Sequence, residues 1–352
     1  MAVQKKFLYA LCRTCETITP TLDYSQALYS LVKNAAGCLK AKAGSIRLLD
    51  KTGKKLEVAV AFGLSKNYLK KGPVEIEKSP IDKSALTGKI VQILDAAKDK
   101  RFQYPKEAKK EKIKSVLCIL LKSKERPLGV LRVYTNKEHV FTKEEIAFVS
   151  TLANQGAAVI KNAQVYKRLK AINEIAKTIT SQLDIHKVLD VICKSAVSDM
   201  AAKGASIMLI APSARQLETA ATYGLSKDFI TKGPVNIDKS ISDCLKGSIL
   251  IIENIENDSR IQYPQALKKE GIKSIICVPF KIKGTAIGTL RIYTAYRYKL
   301  DKEDAEFINI LADFSAVAIQ NARLFEHIKS DYDSLSNDVW KWYDWGNRSP
   351  RI

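Results

Sequence analysis

Cys12 and Cys15 form a CxxC, a spacing that can serve metal ligation or thiol redox chemistry. The metal use needs a second pair or a histidine at ligand spacing, and none is near. The redox use needs a strand running into the helix, which is also missing. In "KKFLYALCRTCETI", Phe7, Leu8, Leu11, Cys12 and Cys15 recur at helical spacing, so the two thiols read as part of an apolar helix face. The total of seven cysteines is odd and scattered, which is no disulfide framework. His139, His186 and His327 stand in a loop, near a helix start and past the last helix, which suits surface positions rather than ligands. No Ser/His/Asp set, P-loop or dinucleotide fingerprint occurs. No catalytic residue, metal ligand or cofactor is therefore assigned.

Two arginines are more informative. In "GVLRVYT", strand alternation turns Leu131 and Val133 one way and Val130, Arg132 and Tyr134 the other. Arg291 and Tyr293 repeat the arrangement in "TLRIYT". If the Leu/Val face packs on helices, the arginine lies on the opposite side, withdrawn from water, and needs an anion or acceptors. The internal candidates are Glu57 and Glu218, at matching places in an earlier strand; the external one is a ligand carboxylate or phosphate. Arg47 has Met208 as its counterpart, so the first copy could hold one more positive charge. Tyr104 and Tyr263 either pack over a strand-to-helix corner or touch a ligand. Asp99 and Asp258, just before them, suit the pinning of a turn.

These features come in twos because the chain is a repeat. "RFQYP" (101–105) meets "RIQYP" (260–264) at an offset of 159, as do "IKSVLCILLK" and "IKSIICVPFK". Upstream the offset is 161, where "FGLSKNYLKKGPV" meets "YGLSKDFITKGPV". A period of this length is a duplicated domain and not a solenoid. Each copy reads as an opening helix, two strands, a loop through "KGPV", a short strand, a helix begun by Pro105 or Pro264, a hairpin, and a long amphipathic helix.

The ordered set "IKSVLCILL…PLGVLRVYTNKEHVFTKEEIAFVSTLANQGAAVIKNAQVY", with its partner through "AVAIQNARLF", resembles the GAF domain family. The resemblance implies an α+β fold in each copy, an antiparallel sheet of about six strands with helices on one face and a ligand pocket under loops on the other. It implies sensing of small molecules, chromophore binding or dimerisation. The Cys-His dipeptide of bilin-binding members is absent. Cys244, in "SISDCLKGS", falls in a pocket-loop region where free methionine-sulfoxide reductases of this fold carry reactive cysteines, but it has no counterpart in copy one and reads as an idle thiol. Asn136, Lys137, Phe141, Glu144 and Glu145 approach the cyclic-nucleotide pattern, incompletely, and "FTKEE" equally suits a capping box of Thr142 and Glu145.

Expected boundaries are an N-terminal helical segment over 1–19, GAF-type domains over 20–165 and 181–325, a connecting helix over 166–180, and an aromatic-rich tail over 326–352. No apolar run is long enough for a membrane span, and the start makes a poor signal peptide, so a cytoplasmic protein is expected. Residues 1–170 hold 34 basic and 15 acidic residues, a balance of +19, against +2 for the rest. That asymmetry allows an anionic partner, yet the excess is mostly lysine and no nucleic-acid-binding pattern accompanies it, so nucleic acid is not the expected partner. Apolar residues from Val159 to Ile179 recur at helical spacing, which favours a long helix that pairs two copies in a homodimer. Trp340, Trp342 and Trp345 are expected to dock on the second domain, or else to form a partner-binding peptide. No output domain follows in the chain, so a non-enzymatic sensor signalling to a separate partner is expected. The alternatives are a ligand-free interaction scaffold and a cyclic-nucleotide module in domain 1.

Overall fold

The computed structural model describes Phe7 and residues 23–124, 126–181, 184–211, 216–237 and 242–347. Cys12, Cys15 and the rest of the expected N-terminal helix lie outside the described residues. Contacts divide the chain after Lys167.

Domain 1 runs α1 (Tyr24–Cys38), β1 (Ala43–Leu49), β2 (Lys55–Phe62), α2 (Lys66–Leu69), β3 (Val74–Glu75), α3 (Pro80–Leu86), β4 (Val91–Ile93), α4 (Pro105–Lys110), β5 (Val116–Ser123), β6 (Arg126–Tyr134) and α5 (Lys143–Ser181). Domain 2 runs α6 (Ile185–Met200), β7 (Gly204–Ile210), β8 (Gln216–Tyr223), α7 (Lys227–Ile230), β9 (Val235–Asn236), α8 (Ser242–Leu245), β10 (Leu250–Ile252), α9 (Pro264–Lys269), β11 (Ser274–Ile282), β12 (Thr285–Thr294) and α10 (Lys302–Asn347). Each domain has one six-stranded antiparallel sheet. The strand orders are β3-β2-β1-β6-β5-β4 and β9-β8-β7-β12-β11-β10, the same order strand for strand. The inferred duplication is thus a duplication of fold.

Local chemistry sets the element ends. Asp23 accepts from the Ser25 amide at 2.8 Å and caps α1, and Asp184 does the same for α6 through the His186 amide at 3.0 Å. Pro105 and Pro264 occupy the first turns of α4 and α9. Thr142 and Glu145 exchange backbone-to-side-chain bonds at 2.9 and 3.3 Å, completing the capping box that opens α5. Gly129 lets β6 approach β1 closely: a Cβ there would sit 2.0 Å from the Arg47 carbonyl oxygen. Gly288 does the same against Met208 in domain 2.

The two faces of each sheet have different cores. In domain 1, Leu117, Ile119, Leu131 and Val133 pack on α1 and α5. Val116, Cys118, Val130 and Tyr134 turn the other way and pack under the loops with Tyr68, Phe102 and Ile81. In domain 2 the helix-side core is again one cluster, but the loop-side residues form two separate clusters.

Helix α5 spans 39 residues and ends at Ser181. Its Ile175 joins the domain 2 core, with Ile172 and Ile179 packed against it. Arg168 clamps this segment to domain 2. Its guanidinium donates to Asp199 at 2.8 Å, to the Glu303 carbonyl at 3.0 Å and to Asp304, which also accepts from the Tyr298 hydroxyl. Helix α10 spans 46 residues. Trp340 lies on it at 67% exposure, so this tryptophan does not dock on domain 2 as expected: the tail continues the helix away from the sheet. The side chains of Trp342 and Trp345 lie outside the described residues.

Arg168→Ala leaves two half- to fully buried carboxylates facing each other without their cation. It should cost about 2–3 kcal/mol, read as a lower denaturant midpoint for domain 2 with the domain 1 transition unmoved.

Candidate functional site

The loop-side face of each sheet holds an arginine row. In domain 1, Arg132 on β6 stands opposite Ser45 on β1 and Cys118 on β5. It is fully buried and its Nη2 pairs with Asp82 on α3. Asp82 also accepts from the Ser79 hydroxyl at 2.5 Å. The expected partner was Glu57. Glu57 is exposed on β2, and Glu218 is exposed on β8, so neither forms the cross-sheet pair. The correction has a physical reason: both glutamates face solvent on the second strand of their sheets, while α3 brings a shorter carboxylate over the sheet to the buried guanidinium.

In domain 2, Arg291 on β12 stands opposite Ser206 and Cys277. It is 6% exposed, and its Nε and Nη2 have no hydrogen-bond partner. At the upstream offset of 161 the counterpart of Asp82 is Asp243, which is exposed and pairs with Lys246 at 3.0 Å instead of reaching the arginine. Beside Arg291 opens a small pocket with about 30 Å³ of interior space. Phe229, Tyr263, Leu250, Ile275 and Tyr293 supply apolar wall, and Lys232 and Arg291 supply charge. The pocket draws its walls from both loop-side clusters of this domain.

Several interactions fix these walls. The Tyr263 hydroxyl donates to the Pro234 carbonyl at 2.7 Å, and Gln262 accepts from the Asn236 amide at 2.9 Å. Tyr293 and Ser206 share a hydrogen bond at 3.1 Å. Asp258 accepts from the Arg260 amide at 3.0 Å and pins the turn before Tyr263, as Asp99 does with Arg101 at 2.9 Å. Lys232 donates to the Phe229 carbonyl at 3.0 Å and sits 3.9 Å over its ring. Burial, and then the neighbouring Arg291 charge, lower its amine to about 8. Cys244 is buried outside the pocket lining. Its hydrogen bond with Cys277, followed by burial, pushes its thiol far up, away from the ionised form that reactive cysteines need. Cys277 lines the pocket instead.

Domain 1 reproduces the frame with different contents. Tyr134 bonds Ser45 at 2.9 Å, and the Tyr104 hydroxyl donates to the Pro73 carbonyl at 2.8 Å. Arg47 on β1 is 0% exposed. Lys71, the counterpart of Lys232, lies 3.8 Å over Tyr68 and 4.5 Å from the Tyr104 ring centre. The structure therefore gathers Arg47, Arg132, Tyr134 and Tyr104 on one side of domain 1, and Arg291, Tyr293 and Tyr263 on one side of domain 2. Lys71, Lys232, Asp82 and Cys277 were missed. The signal for the lysines was present, since "KGPV" is identical in the two copies. Asp82 had no such signal, because the offset between the copies changes from 161 to 159 around it.

His139 bonds Glu145 at 2.9 Å, and His186 and His327 are exposed. Among the described residues no cluster of potential ligands could hold a metal ion, and no helix is long and apolar enough to cross a membrane.

Comparison with known proteins gives the same division. Models of the GAF domain match residues 21–161 and 184–319. No curated protein sequence matches the chain. Among solved structures, a bacteriophytochrome from the photosynthetic bacterium R. palustris is 11% identical and superposes with a TM-score of 0.52 over 90% of this chain and 76% of that one. The GAF domain of a phosphoenolpyruvate-protein phosphotransferase from Coxiella burnetii is 23% identical, with a TM-score of 0.43, over 46% of this chain and 97% of that one. The corresponding domain from Acinetobacter is 24% identical, with a TM-score of 0.40, over 45% and 94%. At these identities the likeness is one of fold. Two matched domains of one family, built on sheets of identical strand order, make the chain a tandem GAF-domain protein.

Proposed function

We propose that the protein is a cytoplasmic, non-enzymatic sensor whose second GAF domain binds a small molecule with an anionic headgroup. GAF domains are sensory and signalling modules. The observation that carries the reading is Arg291: a buried guanidinium with two unpartnered donors at the wall of a pocket that opens to the surface. A buried charge without a counter-charge is costly, and a ligand anion would remove the cost. Tyr263 and Phe229 offer apolar surface to the body of such a molecule, and Lys232 adds a second cation within the same wall. Occupancy would be reported through the elements that the pocket's domain grips most firmly, α10 and the α5 segment held by Arg168. A ligand does this only by binding two arrangements of those helices unequally.

A scaffold reading is favoured by one separate feature. Phe325, Ile328, Tyr332, Leu335 and Val339 are exposed on α10 and recur at alternating spacings of three and four. That heptad stripe fits a second copy of the same helix, since identical stripes mesh knobs into holes. Dimerisation and sensing are compatible, and the stripe is the surface through which a domain 2 state would reach a partner subunit.

Native mass spectrometry of the full chain should show a retained small molecule, and Arg291→Met should release it with the fold intact by circular dichroism. A chain that carries nothing, and binds none of a panel of carboxylates, nucleotides and sugar phosphates, would remove the sensing reading. In sedimentation, the wild type should be a dimer and the double change Ile328→Lys, Leu335→Lys a monomer. A monomeric wild type would remove the dimer.

A further inference from the structure

Domain 1 holds a different concentration of charge. Arg47 is fully buried, and its Nε, Nη1 and Nη2 all lack a hydrogen-bond partner. The Lys71 Nζ, the Tyr68 hydroxyl and the Arg132 Nε are buried and unpartnered as well. These donors come from β1, α2, the loop after it and β6, and they lie on one face of one sheet with Phe102 and Tyr104. Asp82 is already committed to Arg132 and Ser79. The cluster therefore carries three basic side chains against one carboxylate. Buried donors in this number are a rarity in native proteins and call for an absent acceptor.

We propose that the interior of domain 1 is a second anion site, separate from the domain 2 pocket, that takes a compact dianionic oxyanion on Arg47 and Lys71. The charge balance points to a dianion. Arg132 and Asp82 cancel, which leaves Arg47 and a protonated Lys71 to be matched. The Tyr68 hydroxyl supplies a neutral donor beside them. A phosphoryl group and a small dicarboxylate share this chemistry. Copy two cannot form the site, because Met208 replaces Arg47.

Binding would be coupled to a proton. Burial, then Arg47, then Arg132 lower the Lys71 amine to about 6, while Glu107 and Asp82 act weakly in the opposite sense. The rings of Tyr68, Tyr104 and Phe102 also face the amine. In the empty site Lys71 is thus neutral above that pH. A dianion favours its charged form, so filling the site takes up a proton. Affinity for an ion that does not itself titrate should rise about tenfold per unit as pH falls from 8 towards 6, then level off.

The test is calorimetric titration of the full chain with sulfate, a dianion throughout this range, and with malonate, in two buffers of different ionisation enthalpy. The expected result is binding with uptake of up to one proton, abolished by Arg47→Met and retained by Arg291→Met. Tighter sulfate would favour a phosphoryl ligand and tighter malonate a dicarboxylate. Arg47→Met should also raise the ligand-free thermal midpoint of domain 1, because it removes a charge without a partner. No detectable binding of either ion, binding lost in Arg291→Met but kept in Arg47→Met, or a lowered midpoint in Arg47→Met would each overturn the proposal. The second outcome would place the bound ion at Arg291 and support the domain 2 reading, while the first leaves that reading to its own ligand panel, so the two sites fail separately.

Discussion

A guanidinium buried on the loop side of a β-sheet must find negative charge, and much of this protein's design follows from where it finds it. Taking such a group out of water costs several kcal/mol even after relaxation, which a well-placed carboxylate can offset. Domain 1 solves the problem for Arg132 internally, with Asp82 on α3, and leaves Arg47 on the same face without a carboxylate. Domain 2 has the same arginine on the same strand, with free donors and a pocket beside them. The cost there remains open to be met by something that binds.

The contrast explains why a duplicated fold need not be a duplicated function. The strand order, the caps, the Tyr–Ser bond beneath each arginine and the tyrosine bound to a proline carbonyl are common to both copies. Arg47 against Met208 changes the charge of the interior, and the buried Asp82 of domain 1 contrasts with Asp243 of domain 2, which is exposed beside Lys246. In domain 1 the loop-side residues knit into one cluster around the ion pair, and in domain 2 they divide around the pocket.

How much of this was legible in the sequence depends on how local the determinant is. The sheet faces were legible, because alternation along "GVLRVYT" is a property of consecutive residues. The repeat gave the order of elements along the chain twice over, and the Thr142–Glu145 box and the turn-pinning Asp99 and Asp258 were readable from spacing alone. The partner of Arg132 was not. Glu57 lies near it in the strand pattern, whereas Asp82 reaches it by the path of a loop and a short helix that no periodicity describes. Lys71 was hidden for a related reason: its neighbours in space, Tyr68, Tyr104 and Arg47, are gathered from three separate segments. The tail misled because tryptophan suggests burial, while the sequence around Trp340 simply continues the helix begun at Lys302.

If the arginine row is the organising constraint, the same substitution at its two equivalent positions should act with opposite sign. The decisive measurement is equilibrium unfolding of refolded, ligand-free full chain carrying either Arg132→Met or Arg291→Met, with the two domain transitions resolved. The account predicts that Arg132→Met destabilises domain 1 by about 3–5 kcal/mol, since it strands Asp82, and that Arg291→Met leaves domain 2 as stable or more so. Equal losses in both domains would contradict it, for Arg291 would then have a protein partner of its own and no call on a ligand.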